Sequence, residues 1–161
     1  ENRFTPMQLC SYVTTIANKG LRYRATFMNR VVTSDYSQIV TEAEPEILNT
    51  VELSNDALKG VLNGMIKCAT ESGGTAYKIF KDYPVTVAAK TGTAQIGRTD
   101  RSDNGAFVCF APAEDPQIVV VVYGESAGHG SSLGNVAKSV LDAYFGVEDS
   151  NEQVGGENQV S

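Results

Sequence analysis

A lysine, two threonines and a glycine stand together in Ala89-Lys90-Thr91-Gly92-Thr93-Ala94-Gln95, in an order suited to holding an anion. The preceding Val85-Thr86-Val87-Ala88 alternates as a strand does and reaches Lys90 without a turn residue. On a strand, Thr91 and Thr93 share one face while Lys90 and Gly92 share the other. Two hydroxyls can donate to one carboxylate, and an ammonium adds positive charge to the same small volume. Gly92 carries no side chain, so an extended ligand can lie against the strand backbone. The chemistry that fits is recognition of an anionic, peptide-like ligand laid along a strand edge. Alone, Lys-Thr-Gly is equally compatible with a strand end closed by a turn glycine, so its surroundings decide.

Those surroundings begin with a dense helix start, Phe4-Thr5-Pro6-Met7-Gln8-Leu9. Thr5 can cap, Pro6 suits the first helical position, Gln8 completes a capping box, and Phe4 and Leu9 have staple spacing. This helix is predicted to run to about Asn18 and stop at Lys19-Gly20. The cap follows closely on the first residue, and a natural domain rarely begins so abruptly. Leu21 to Thr41 reads as a pair of extended segments around Thr33-Ser34-Asp35. A second helix opens at Ser54, with a Leu53–Leu58 staple and an apolar stripe of Leu58, Val61, Leu62, Met65, Ile66 and Ala69. That stripe reads as core, and Ser72-Gly73-Gly74 ends the helix.

After the Lys-Thr-Gly strand, Gly97 to Gly105 is a polar, charged loop. Ala106 to Ala111 and Gln117 to Tyr123 read as two strands joined by the turn Ala111-Pro112-Ala113-Glu114-Asp115-Pro116. Ser131 or Ser132 then caps a helix with Leu133, Val136, Ala137, Val140, Leu141 and Tyr144 on one face. Three neighbouring strands followed by a helix predict an α+β fold, an antiparallel sheet backed by helices. The acidic, Gly/Asn/Gln-rich residues 146–161 are expected to be a disordered tail.

The 161 residues make one domain's worth of chain, 42% apolar and without Trp. Net charge is −6, of which the tail contributes −4 through Glu148, Asp149, Glu152 and Glu157. That acidic balance argues against nucleic-acid binding. The longest apolar run, Ile118 to Tyr123, is far too short to cross a bilayer. Cys10, Cys68 and Cys109 are odd in number, far apart and set among apolar residues, so each is expected to be a buried free thiol, with a metal ligand or a bridge to a missing segment as the alternatives. His129, between two glycines, reads as a loop histidine; no metal or cofactor motif is present.

Taken together, these blocks resemble the C-terminal part of the transpeptidase domain of class B (monofunctional, high-molecular-weight) penicillin-binding proteins. The resemblance is carried by Phe4 to Leu9, by Leu53 to Cys68 running into Gly73-Gly74-Thr75-Ala76, and by Ala89 to Gln95. Phe107-Val108-Cys109-Phe110-Ala111-Pro112-Ala113 and Pro116-Gln117-Ile118 follow in the family's order. Residues 1–145 would then be the C-terminal portion of a penicillin-binding transpeptidase or serine β-lactamase-like fold. The family's chemistry is acyl transfer through a serine ester. A serine in Ser-x-x-Lys attacks a D-Ala-D-Ala stem peptide, aided by a Ser-x-Asn motif, and β-lactams acylate the same serine.

No serine of this chain has a lysine three residues later, and Ser102-Asp103-Asn104 follows the Lys-Thr-Gly strand instead of preceding it, which reads as a polar turn. The resemblance therefore implies a chain that supplies one wall of the site and is inactive alone, the missing N-terminal part of the domain being its partner. It implies that Lys90 supports proton transfer and that Thr91 and Thr93 hold the substrate's terminal carboxylate. It further implies that the Thr93 N–H forms half of the oxyanion hole and that Gly92 keeps the cleft open. Arg98, Arg101 and Asp103 would form a lip of the cleft or a solvated loop. No cofactor is implied. The implied location is the extracytoplasmic face of a bacterial membrane, with the anchor outside this chain. A serine β-lactamase fragment and a non-catalytic β-lactam sensor are the alternatives.

Overall fold

Local sequence signals set the first helix. The computed structural model describes residues 4–97 and 100–147. Helix α1, Pro6–Ala17, starts with the Thr5 hydroxyl accepting from the Gln8 N–H while the Gln8 side chain accepts from the Thr5 N–H. Both bonds satisfy donors that a helix start leaves orphaned. Lys19 and Gly20, at φ of 55° and 101°, reverse the chain behind it.

The segment that follows differs from expectation. Two extended pieces do flank Thr33-Ser34-Asp35, as β2 (Arg30–Val32) and β3 (Ile39–Glu42). Before them, β1 (Leu21–Tyr23) pairs instead with an unforeseen β4 (Ile47–Thr50). All residues of β3 and β4 are exposed, so neither strand carries the alternation that announces one buried face.

Helix α2, Asn55–Thr70, is capped by the Ser54 hydroxyl, which accepts from the Ala57 N–H. Of its apolar stripe, Met65 and Ala69 are buried, Leu62 and Ile66 are half-buried against the core, and Val61 is exposed. The expectation that the whole stripe is core therefore fails at Val61. The short helix α3, Tyr77–Phe80, leads to the central sheet of β5 (Ala88–Ala94), β6 (Asn104–Ala111) and β7 (Ile118–Gly124). This sheet is antiparallel, in the order β5-β6-β7, and joins Lys90 to Val108, Gly92 to Ala106 and Thr93 to Gly105 in register.

Helices cover both faces, giving the predicted α+β architecture. One face packs Ala88, Val108 and Phe110 against Val13 and Ala17 of α1 and Met65 of α2. The other packs Ala89, Phe107, Cys109 and Val120 against Phe80 and against Ala137 and Leu141 of α4, Gly134–Phe145. Phe107, fully buried, stacks on Phe80 with ring centroids 6.2 Å apart. Burying each such ring is worth about 1.5–3 kcal/mol.

The last helix corrects a further expectation. Neither Ser131 nor Ser132 caps it: both lie in a 3-10 turn, Gly130–Leu133, and Ser132 donates its hydroxyl proton to the carbonyls of Ala127 and His129. Its apolar residues also split between two faces. Ala137 and Leu141 are buried, whereas Val136, Val140 and Tyr144 form an exposed stripe. The cysteines are free, but only Cys109 is buried; Cys10 and Cys68 are half-buried. The acidic tail expected to be disordered lies, from residue 148 onward, outside the described residues.

Candidate functional site

Lys90, Thr91, Gly92 and Thr93 lie toward the end of β5, an edge strand of the sheet, and none is buried. The alternation expected from sequence is present. Thr93 pairs with Gly105, and Gly105 lies beneath the 3-10 turn, so the Thr93 hydroxyl reaches the Gly130 N–H at 3.4 Å. Thr91, two residues earlier on the same face, has its hydroxyl oxygen 3.0 Å from that of Thr75. Lys90 is exposed, and its ammonium donates to the Thr91 carbonyl at 2.6 Å. One strand edge thus carries two hydroxyls and a cation.

Glycines govern what approaches this edge. Gly105 and Gly124 pair across β6 and β7, and side chains there would press on Ala127 and Leu133. Their bareness lets the 3-10 turn settle on the sheet beside Thr93. Gly130 has no room for a side chain at all, because a Cβ would stand 2.2 Å from the Gly92 carbonyl oxygen. Gly92 is the opposite case. A Cβ there would meet only Ala106, at 3.6 Å, an ordinary contact. The fold does not require glycine at 92.

Thr75 reaches the site because of the turn before it. Gly73 sits at φ 97°, and a Cβ on Gly74 would come within 2.3 Å of the Cys68 carbonyl oxygen. Two glycines fold the chain tightly over the end of α2 and return Thr75 to β5. Behind Thr75, its hydroxyl lies 3.2 Å from the Cys68 sulfur. In the sequence, Gly73 to Ala76 stand out with no task for Thr75, and Gly130 figures only as a neighbour of His129. The paired glycines were the available signal; the contact spanning 37 residues to Gly130 had none.

Arg98 lies outside the described residues, and Arg101 is exposed. The Asp103 carboxylate is half-buried and accepts from the Ile96 N–H at 3.1 Å, while its carbonyl accepts from the Gly128 N–H. Asp103 therefore braces the loop. Asn104 is no turn residue: it begins β6, opposite Ala94, and its side-chain oxygen accepts from the Ser126 N–H. His129 is exposed and precedes the 3-10 turn, as a loop histidine would.

Elsewhere, a cavity of ≈ 540 Å³ between the segments that follow β1 and precede β4 is lined by Glu44 and by Arg24 and Glu46, which pair with each other. Among the described residues no group of three or more His, Cys, Asp or Glu side chains converges as a metal would need. No described helix is long and apolar enough to cross a membrane.

The family model for the penicillin binding protein transpeptidase domain matches residues 3–143. The chain belongs to that family. It is 30% identical over 169 aligned positions to penicillin-binding protein 2A of Bacillus subtilis (strain 168), covering 94% of this chain and 23% of that one. Peptidoglycan D,D-transpeptidase MrdA of Escherichia coli (strain K12) is 27% identical over 96% of this chain and 26% of its own length. Among solved structures, penicillin-binding protein 2B of Streptococcus pneumoniae (strain R6) superposes with a TM-score of 0.76 at 26% identity. That match covers 93% of this chain and 26% of that structure. Pseudomonas aeruginosa PBP2 gives 0.68 at 29% identity, over 96% and 32%. The chain thus spans about a quarter of the length of the curated penicillin-binding relatives it matches. The transpeptidase fold of these relatives is the α+β arrangement described above.

Proposed function

We propose that this chain is part of a peptidoglycan D,D-transpeptidase and supplies the Lys-Thr-Gly wall of its active site. The observation that carries the reading is the edge of β5, where Lys90, Thr91 and Thr93 bring one ammonium and two hydroxyls to an unburied strand end. In this reading the terminal carboxylate of a D-Ala-D-Ala stem peptide, or the carboxylate of a β-lactam, accepts from Thr91 and Thr93. Lys90 adds charge at the same point and assists proton transfer at the neighbouring Ser-x-Asn serine. The Thr93 N–H donates to the developing oxyanion, a contribution worth about 2.7–4 kcal/mol in comparable sites. Gly92 stays bare so that the peptide backbone can approach.

The serine of Ser-x-x-Lys and the Ser-x-Asn motif come from the preceding part of the domain, which packs on this piece. Exposed Val136, Val140 and Tyr144 on α4 support that arrangement, since three large apolar residues on one stripe favour a protein neighbour over water. Acylation requires both parts, and this chain alone is inactive. The relatives, penicillin-binding proteins and a D,D-transpeptidase, favour this reading over a β-lactamase. The parent works at the extracytoplasmic face of the bacterial membrane, its anchor lying outside this chain.

The test is the lifetime of the penicilloyl-enzyme in the whole protein, together with turnover of a D-Ala-D-Ala donor. An adduct lasting hours with donor turnover supports a transpeptidase. Hydrolysis within seconds assigns a β-lactamase, and a lasting adduct without any turnover assigns a sensor.

A further inference from the structure

Two hydroxyls near an anion help only if their protons face it. A threonine hydroxyl has one proton and two lone pairs, so its other hydrogen bonds decide which it offers. At Thr93 the Gly130 N–H occupies a lone pair, at 3.4 Å, and the proton remains for a ligand. At Thr91 the partner is the Thr75 hydroxyl, 3.0 Å away, which can donate or accept. The Cys68 sulfur lies 3.2 Å from the Thr75 oxygen and can likewise donate or accept. A thiol donates and accepts only weakly, whereas a Thr91 whose own proton serves a carboxylate offers the Thr75 proton a full oxygen lone pair. The series Cys68 to Thr75 to Thr91 therefore runs best with each proton pointing toward β5.

We propose that Thr75 is a positioning residue: by donating to the Thr91 oxygen it fixes Thr91 as a donor to the ligand carboxylate, with Cys68 closing the series behind it. The inference rests on Lys90 to Thr93 being the carboxylate site. It adds a device that sets the polarity of that site from outside the strand. The tight Gly73-Gly74 turn, with no space for a Cβ at Gly74, is what delivers Thr75 to this position. Thr75 is exposed, so its place is explained by the hydroxyl contact and not by burial.

The test uses the whole protein and compares acylation by a penicillin with acylation by its methyl ester, which lacks the anionic carboxylate. Thr75→Val should lower the preference for the free acid about tenfold, the scale of one charge-assisted hydrogen bond. It should leave acylation by the ester unchanged. Thr75→Ser should restore the preference, and Thr75→Val combined with Thr91→Val should be no worse than Thr91→Val alone. Equal slowing with acid and ester, or multiplying losses in the double variant, would show a merely structural role and overturn the proposal. Unfolding by both Thr75→Val and Thr75→Ala would do the same. If Thr91→Val itself leaves the acid preference intact, the carboxylate site is wrong and the proposal falls with it.

Discussion

The Gly130 N–H faces the Thr93 hydroxyl oxygen at 3.4 Å, and the Gly130 Cα lies so close to β5 that a Cβ would come 2.2 Å from the Gly92 carbonyl oxygen. The 3-10 turn and the strand edge are thus locked at the point where a ligand would lie. Backbone, not a flexible side chain, occupies the space a methyl would need. Gly130→Ala should therefore push the turn off the sheet, costing about 1–3 kcal/mol of stability. Acylation of the whole protein by penicillin should fall with it. Thermal unfolding and labelling kinetics measured on one preparation check both effects, and unchanged stability would contradict the packing described.

Gly92→Ala should separate folding from binding. Its Cβ meets only Ala106, at 3.6 Å, so the melting temperature should stay within a degree or two. Acylation should nevertheless drop about tenfold or more, because the methyl stands where an extended ligand lies against the strand. A variant with wild-type acylation would show that nothing docks over Gly92.

Lys90 is exposed and, among the described residues, bonds to its neighbour's carbonyl, so its removal should not unfold the protein. Lys90→Met should lower the acylation rate about 10²- to 10⁴-fold, the usual share of a proton-transfer group. Stopped-flow labelling of the folded variant measures this. A loss below threefold would remove Lys90 from the chemistry.

Cys109 provides a pH readout of the core. Burial pushes its thiol up to about 12, from an ordinary value of 9.0. At neutral pH its thiolate is therefore about a thousandfold scarcer than that of an ordinary cysteine, and alkylation should proceed only through unfolding. The sign for stability follows. Below about pH 9 both folded and unfolded thiols are protonated and the group costs nothing. From there toward pH 12 the unfolded chain ionises first and the folded state loses stability. Peptide mapping after brief alkylation should show Cys10 and Cys68 modified ahead of Cys109.

What sequence made legible was local or periodic. The capping box at Thr5 and Gln8 closes within one turn and could be read directly, as could the alternation through Lys90 to Thr93. Strands β1 to β4 were only partly legible because their residues face water on both sides or nearly so, leaving no contrast to read. On α4, apolar character did not mean burial. The sheet accepts the face with Gly134, Ala137 and Leu141, and leaves Val136 and Val140 outside. The partners of the two site threonines, Thr75 and Gly130, depend on tertiary approach across 16 and 37 residues, which no spacing rule encodes.

The central claim is that this chain forms a wall of an acylation site whose nucleophile lies elsewhere in the protein. It is tested most directly by treating the whole protein with penicillin and mapping the adduct by peptide mass spectrometry. The account predicts a single penicilloyl group on a serine of a Ser-x-x-Lys sequence outside these 161 residues, with every serine here unmodified. An adduct on a serine of this chain, Ser72 or Ser102 for instance, would contradict it.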